Sequence, residues 1–90
     1  MKVCFYMDPE TGEPHIFKHG ITEDEVYSLL ENPKEDQACR GGARIARGMA
    51  DSGRFLRVVY AKHQNEIVVI TGWVMAGNEL KAYRRRNRNR

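Results

Sequence analysis

The chain has 90 residues, a length that suits one domain around a single hydrophobic core and excludes a second catalytic domain. Hydrophobic residues account for 41% of the chain and charged residues for 30%, a balance typical of globular proteins and not of disordered ones. No segment approaches the roughly 18 apolar residues of a membrane span, and no signal peptide is recognisable. We therefore expect a cytoplasmic protein that makes no membrane contact, with Cys4 and Cys39 as reduced thiols.

The net charge of +3 conceals an uneven distribution of charge along the sequence. Residues 1–36 contain nine acidic and three basic side chains, a balance of −6, whereas residues 37–90 contain three acidic and twelve basic ones, a balance of +9. If the folded domain keeps these charges apart, its basic side attracts a polyanion. RNA, DNA or an acidic protein are then the expected partners, and the alternative is that the charges only solvate the surface.

The first predicted elements are a strand and a turn. Residues 2–7 are apolar and aromatic, which is typical of a strand, and residues 8–12 contain the proline and glycine of a turn. After the turn we expect either the second strand of a hairpin at residues 15–18 or an irregular loop.

A helix is predicted next. Thr22 and Glu25 have the spacing of a capping box, in which each side chain hydrogen-bonds to the backbone of the other residue. Three apolar residues then recur at helical spacing: Val26, Leu29 and Leu30. Because Pro33 stops such an element, the pattern predicts a helix over residues 23–31.

The second half of the chain reads as a meander. Residues 34–42 lack any period and are predicted to form a loop, whereas residues 43–49 and 55–60 alternate like the strands of an antiparallel hairpin. Residues 66–73 are apolar enough for a central strand covered on both faces, which completes three consecutive strands.

A short C-terminal helix is expected after the meander. Asn78 can cap this helix, which then extends through Tyr83 into a run of arginines. The element order predicts an α+β fold with one sheet, organised as a single domain over residues 1–83 and a basic tail over residues 84–90. We expect the tail to add non-specific affinity for nucleic acid.

Several side chains are candidates for chemistry on RNA. His19 lies on a loop, where an imidazole can exchange protons near neutral pH, and its alternative role is a structural hydrogen bond. Arginine matches the planar geometry of phosphate, and four arginines lie on the predicted hairpin: Arg44, Arg47, Arg54 and Arg57. Strand alternation prevents all four from sharing one face. Such cations would stabilise the charge on a phosphate undergoing cleavage, so no metal or other cofactor is needed.

Zinc binding is not expected from the cysteines and histidines. His15 and His19 have a spacing that brings two rings together on a helix, but we interpret this segment as strand and loop. No Cys-x-x-Cys motif accompanies them, so the predicted metal set is none. The aromatic side chains are interpreted as core residues, with base stacking as the alternative.

Short motifs in a fixed order carry a family resemblance. They are KHGIT at residues 18–22 followed by Glu25, Asn32-Pro33, GRFLRVVY at 53–60, VIT at 69–71 and YRRR at 83–86. Their order and spacing resemble the BrnT-type toxins of the RelE superfamily over about residues 15–86. One departure is Gly72-Trp73-Val74, which stands where the family commonly has an Ala-Arg-Arg run.

The resemblance implies a RelE-like α+β fold with an antiparallel meander, one central helix and a short C-terminal helix. It also implies the toxin of a type II toxin–antitoxin system, a metal-independent endoribonuclease that cleaves messenger RNA and is neutralised by a cognate antitoxin protein. The alternative is a non-catalytic RNA-binding or protein-interaction module of the same fold, and either form could be a homo-oligomer. The candidate catalytic residues are His19, Arg57 and Tyr60. The candidate RNA-binding residues are Lys18, Arg44, Arg47, Arg54, Arg84, Arg85 and Arg86.

Overall fold

A computed structural model describes residues 2–88 of the chain and confirms the α+β class. The strands are β1 (Lys2–Phe5), β2 (Glu35–Ala38), β3 (Ala43–Met49), β4 (Phe55–His63) and β5 (Glu66–Val74). The α-helices are α1 (Glu23–Glu31) and α2 (Gly77–Arg86), and two short 3-10 helices, η1 (His15–His19) and η2 (Arg40–Gly42), complete the fold. Neither α-helix within residues 2–88 is long and apolar enough to cross a membrane.

The five strands form one mixed sheet in the order β1-β5-β4-β3-β2. β3, β4 and β5 are the predicted antiparallel meander, and β1 joins it parallel to β5. β1 pairs only with residues 66–69 of β5. The other half of β5, residues 70–74, therefore has no strand on that side, and η1 packs beside β5 instead.

The hydrophobic core lies between α1 and one face of the sheet. The capping box predicted for α1 is present, since the Thr22 hydroxyl accepts from the Glu25 amide and the Glu25 carboxylate accepts from the Thr22 amide. Val26 and Leu29 of α1 are completely buried. They contact a cluster that includes Ile16, Ile21, Ala46, Leu56, Val58, Tyr60 and Val69.

The opposite face of the sheet is partly covered by α2. Tyr83 of α2 is buried and its ring lies 5.9 Å from that of Phe55. The helix begins at Gly77 after an Ala76 N-cap, earlier than the predicted cap at Asn78, and it extends to Arg86. Residues 84–86 are therefore part of a packed helix and not of a separate tail, while residues 89–90 of the predicted tail lie outside the described residues.

Two segments differ from the sequence prediction. Pro14 makes a single bridge to Met7, after which the chain turns into η1 and not into a hairpin strand, because Ile16 is drawn into the core. Residues 35–38, predicted as part of a loop, form the edge strand β2 against β3. Its residues are polar because three of its four side chains are exposed, so the usual alternation of a strand is missing.

Gly48 allows α1 to approach the sheet closely. A Cβ atom at this position of β3 would lie 2.7 Å from Cδ1 of Leu29 and 3.2 Å from the backbone nitrogen of Lys34. Because glycine has no Cβ, Leu29 packs against the backbone of β3 without either neighbour having to shift.

We predict that Leu29→Ala costs about 2–5 kcal/mol of unfolding free energy, because it removes buried methyl groups and leaves a cavity. Leu30→Ala should cost less, since Leu30 is only half-buried. Glu31→Ala, at an exposed position of the same helix, is the control and should stay within about 0.5 kcal/mol. Urea unfolding measures all three, and equal costs for Leu29 and Glu31 would contradict the packing described.

Candidate functional site

η1 brings two histidines together. The rings of His15 and His19 lie with centroids 5.5 Å apart and planes 70° apart, whereas four residues of strand would separate the backbones by about 13 Å. Pro14 begins the helix, and Gly20 ends it in the left-handed conformation at φ 72°, which favours glycine. His15 and His19 are called the histidine pair below.

A buried carboxylate orients one member of this pair. Asp8 is 4% exposed and accepts from Nζ of Lys18 at 2.6 Å, from the backbone nitrogen of Glu10 at 2.8 Å and from Nδ1 of His15 at 3.2 Å. The hydrogen bond from Lys18, then those from Glu10 and His15, lower the pKa of Asp8 to about 2. The ionised carboxylate favours the His15 tautomer with its proton on Nδ1, which leaves the lone pair on Nε2.

A stacked arginine and tryptophan lie beside the histidine pair. The guanidinium carbon of Arg57 on β4 is 4.5 Å from the ring centroid of Trp73 on β5, a cation–π contact. The same tryptophan ring lies 6.3 Å from the ring of His19. His15, His19, Trp73 and Arg57 therefore form a continuous row across one edge of the sheet.

Glu79 of α2 holds the sheet side of this row in place. One of its carboxylate oxygens accepts from Nη1 of Arg57 at 3.0 Å and from Nε of Arg47 at 3.1 Å, and the other accepts from Nε1 of Trp73 at 3.3 Å. Although burial alone raises the pKa of Glu79, the hydrogen bonds from Arg47, Arg57 and Trp73 bring this pKa below its ordinary value. A carboxylate bound to two guanidinium groups is a poor proton acceptor, so Glu79 is an anchor and not a base.

Two of the three candidate catalytic residues are brought together. His19 and Arg57 both contact Trp73, on the face of the sheet that carries α2. Tyr60 lies on the opposite face, in the core, where it is 5% exposed and its hydroxyl donates to Asp36 at 2.6 Å. Burial and the neighbouring Asp36 raise the pKa of Tyr60, and its place in the core separates it from the row.

Most of the candidate RNA-binding cations are occupied by carboxylates of the same chain. The pairs are Lys18 with Asp8, Arg44 with Asp36, Arg47 with Glu79, Arg54 with Glu25 and Arg86 with Glu35. Arg84 lies 5.0 Å above the ring of Phe55, and Arg85 is exposed. Three of the five pairs join a base of residues 37–90 to an acid of residues 1–36, so these pairs offset part of the charge separation along the sequence.

The guanidinium group of Arg57 is only partly hydrogen-bonded to the described residues. Its Nη1 is bound to Glu79, but its buried Nε has no hydrogen-bond partner among the described residues. The Arg57 side chain is 26% exposed. Because this Nε atom is buried, only the exposed part of the guanidinium group is open to a phosphate. Its stacking on Trp73, whose ring also lies beside that of His19, makes Arg57 the cation of the row.

Four residues of this site were not predicted as site residues from the sequence: His15, Asp8, Trp73 and Glu79. The His-x3-His spacing was the available signal for His15, but it indicates adjacent rings only if the segment is helical, as η1 proves to be. The positions of Asp8 and Glu79 depend on contacts across 7 to 32 residues of sequence, which no local pattern reveals.

The cavity at the start of α1 is acidic, and the described residues contain no metal-binding cluster. A cavity of about 630 Å³ beside Phe17 and the start of α1 is lined by Glu23 and Asp24 and by no basic residue. Within residues 2–88, no group of three or more His, Cys, Asp or Glu side chains could hold a metal ion. Cys4 on β1 and Cys39 after β2 lie at opposite edges of the sheet.

Comparison with family models assigns the chain to one family. The model of a family described as Domain of unknown function (DUF4258) matches residues 14–73, which include the histidine pair, Arg57 and Trp73 but not Asp8 or Glu79. No curated protein and no solved structure matches the chain.

We predict that Asp8→Asn lowers the melting temperature near pH 7 and that this difference closes in acid. Because the pKa of Asp8 is lowered from 3.8 to about 2, its ionised form stabilises the fold at higher pH, and this stabilisation is lost as the pH falls from about 4 to about 2. Thermal unfolding of parent and variant across this range checks the prediction. Asp51→Asn, at an exposed turn, is the control, and a difference for Asp8→Asn that is equal at both ends of the range would contradict it.

Proposed function

We propose that the chain, which belongs to the DUF4258 family, cleaves RNA with its own side chains and is the toxin of a type II toxin–antitoxin system. The observation that carries the proposal is the histidine pair beside the stacked Arg57 and Trp73. RNA cleavage without a cofactor needs one group to accept a proton, one to donate a proton and a cation for the phosphate. The row contains all three.

The geometry supports a distinct role for each member of the row. His15, whose Nδ1 faces Asp8, presents the Nε2 lone pair, so it takes the proton of a ribose 2′-hydroxyl. The 2′-oxygen then forms a bond to the adjacent phosphorus while the bond from phosphorus to the 5′-oxygen breaks. His19, protonated, gives its proton to that leaving oxygen. The products are a 2′,3′-cyclic phosphate and a 5′-hydroxyl. His15 ends with the proton of the 2′-hydroxyl, and His19 ends neutral.

Arg57 supplies the positive charge for this step. Negative charge grows on the non-bridging phosphate oxygens as the new bond forms, and a fixed guanidinium group meets that charge without reorganisation. Stacking on Trp73 and the bond to Glu79 hold Arg57 in place before RNA arrives. We therefore expect Arg57 to contribute more to the rate of cleavage than to the affinity for RNA.

The proposed role as a toxin is based on the resemblance of the sequence to the BrnT-type toxins. The meander, the helix on one face and the C-terminal helix are compatible with the RelE-like fold that this resemblance implies. Trp73 lies in the departure from the family's Ala-Arg-Arg run, and Arg57, which stacks on it, supplies a cation at that place. Growth arrest on expression of the chain, relieved by an antitoxin encoded beside it, tests this role.

We predict that His15→Ala and His19→Ala each lower the rate of RNA cleavage by about 10²–10⁴-fold, because each removes a proton-transfer group. The assay follows cleavage of a single-stranded RNA by purified protein in a buffer that contains EDTA. His63→Ala, at an exposed position at the end of β4, is the matched control and should retain full activity. Undiminished cleavage by both variants would refute the assignment, and binding without cleavage by the parent would favour the non-catalytic module.

We also predict that Arg57→Lys lowers the cleavage rate far more than it lowers RNA affinity. Lysine keeps the positive charge but loses the planar fork that stacks on Trp73 and binds Glu79. Cleavage rate and dissociation constant are measured on the same oligonucleotide. Arg40→Lys, at an exposed site on η2, should change neither quantity, and a proportional loss of rate and affinity in Arg57→Lys would contradict the catalytic role.

A further inference from the structure

Tyr6 extends the row of rings beyond the histidine pair. Its ring centroid lies 6.2 Å from that of His15, with the ring planes 64° apart. The residue is 49% exposed, so a large part of an aromatic side chain faces solvent. The mechanism described above does not use this ring.

The backbone of Tyr6 is fixed on both sides. Its amide donates to the carbonyl oxygen of Val69 on β5 at 2.8 Å, and its carbonyl oxygen accepts from the amide of His15 at 2.9 Å. The neighbouring Phe5 packs against the core, so strand alternation directs Tyr6 to the other side of the sheet edge. The hydrogen bond that connects the backbone of Tyr6 to that of His15 therefore places the exposed Tyr6 ring beside the histidine pair.

An exposed aromatic ring next to the proposed phosphate site is suited to stack on a nucleobase. Every base has a flat π-face, and stacking on an aromatic side chain contributes to binding without requiring a particular sequence. Bases in a duplex are already stacked on their neighbours, so only an unpaired base can occupy such a ring.

We propose that Tyr6 is a stacking subsite for an unpaired nucleobase of the nucleotide next to the phosphate that the histidine pair contacts. The inference rests on the proposed function, because it places the RNA backbone at His15 and His19. Tyr6 contacts the base and not the reacting atoms, so it contributes to substrate binding and not to proton transfer.

The test measures binding alone, with an RNA that cannot be cleaved. A fluorescent single-stranded oligonucleotide with 2′-O-methyl groups lacks the attacking hydroxyl, so its affinity can be followed by anisotropy with the intact protein. We expect Tyr6→Ala to weaken binding by about 5- to 150-fold, the range for one lost stacking contact. Tyr6→Phe keeps the ring and should bind within about twofold of the parent.

Tyr27→Ala is the matched control for these variants. Tyr27 is 40% exposed on α1, and its ring contacts Phe5 on the core side of the sheet, away from the row. Its replacement should leave the affinity unchanged. If Tyr6→Ala does not fold, Tyr6→Leu, which keeps apolar bulk without a π-face, takes its place and should show the same loss.

Unchanged affinity in the Tyr6 variant would overturn the inference, and so would an equal loss on a fully paired duplex of the same sequence. Either result leaves the proposed function standing if the parent still cleaves RNA in a manner that depends on His15 and His19. Conversely, the parent protein could bind RNA more tightly than Tyr6→Ala and yet cleave none. That result would support the stacking subsite and refute the proposed nuclease activity.

Discussion

The early end of β1 is the constraint on which the rest of the molecule depends. β1 pairs with residues 66–69 of β5 and no further, which leaves the edge of residues 70–74 open on that side. η1 occupies that place, with Ile16 buried in the core on one face of the sheet and His19 beside Trp73 on the other. If β1 continued along residues 70–74, it would occupy the edge at which η1 packs, and His19 would not reach Trp73.

Ion pairs between distant parts of the chain fix the surfaces around this edge. Asp8 binds His15 and Lys18 of η1, and Glu79 of α2 binds Arg47 of β3 and Arg57 of β4, so each carboxylate connects its own segment to the elements beside it. Other pairs connect the basic second part of the sequence to the acidic first part: Arg44 with Asp36, Arg54 with Glu25 and Arg86 with Glu35. These pairs offset part of the charge separation along the sequence, while Arg57, paired with Glu79, keeps a partly exposed guanidinium group in the row.

Local signals in the sequence predicted those elements that depend on local interactions. The helix over residues 23–31 has the predicted bounds, because its capping box and apolar stripe lie within nine residues. The meander follows from strands joined by short turns. β2 and η1 were missed because β2 is a polar edge strand and η1 forms when Ile16 packs into a core built by residues far along the chain.

The candidate site was predictable only in part for the same reason. His19 and Arg57 were identified from their chemistry, but the tryptophan between them and the histidine beside them depend on the tertiary fold. Tyr60 is a candidate for proton transfer by its chemistry, yet the alternation of β4 places it in the core. The types of side chain thus indicated the kind of chemistry. Which of these side chains lie together depends on how η1 packs at the edge of the sheet.

The most direct test of the central claim is the chemistry of the ends left on cleaved RNA. Mass spectrometry of the products formed in EDTA distinguishes the two possible outcomes. Attack by the 2′-hydroxyl, assisted by a histidine pair, leaves a 2′,3′-cyclic phosphate on one fragment and a 5′-hydroxyl on the other, and our account predicts these ends. Fragments that carry a 3′-hydroxyl and a 5′-phosphate would contradict it, because water and not the ribose would then be the nucleophile.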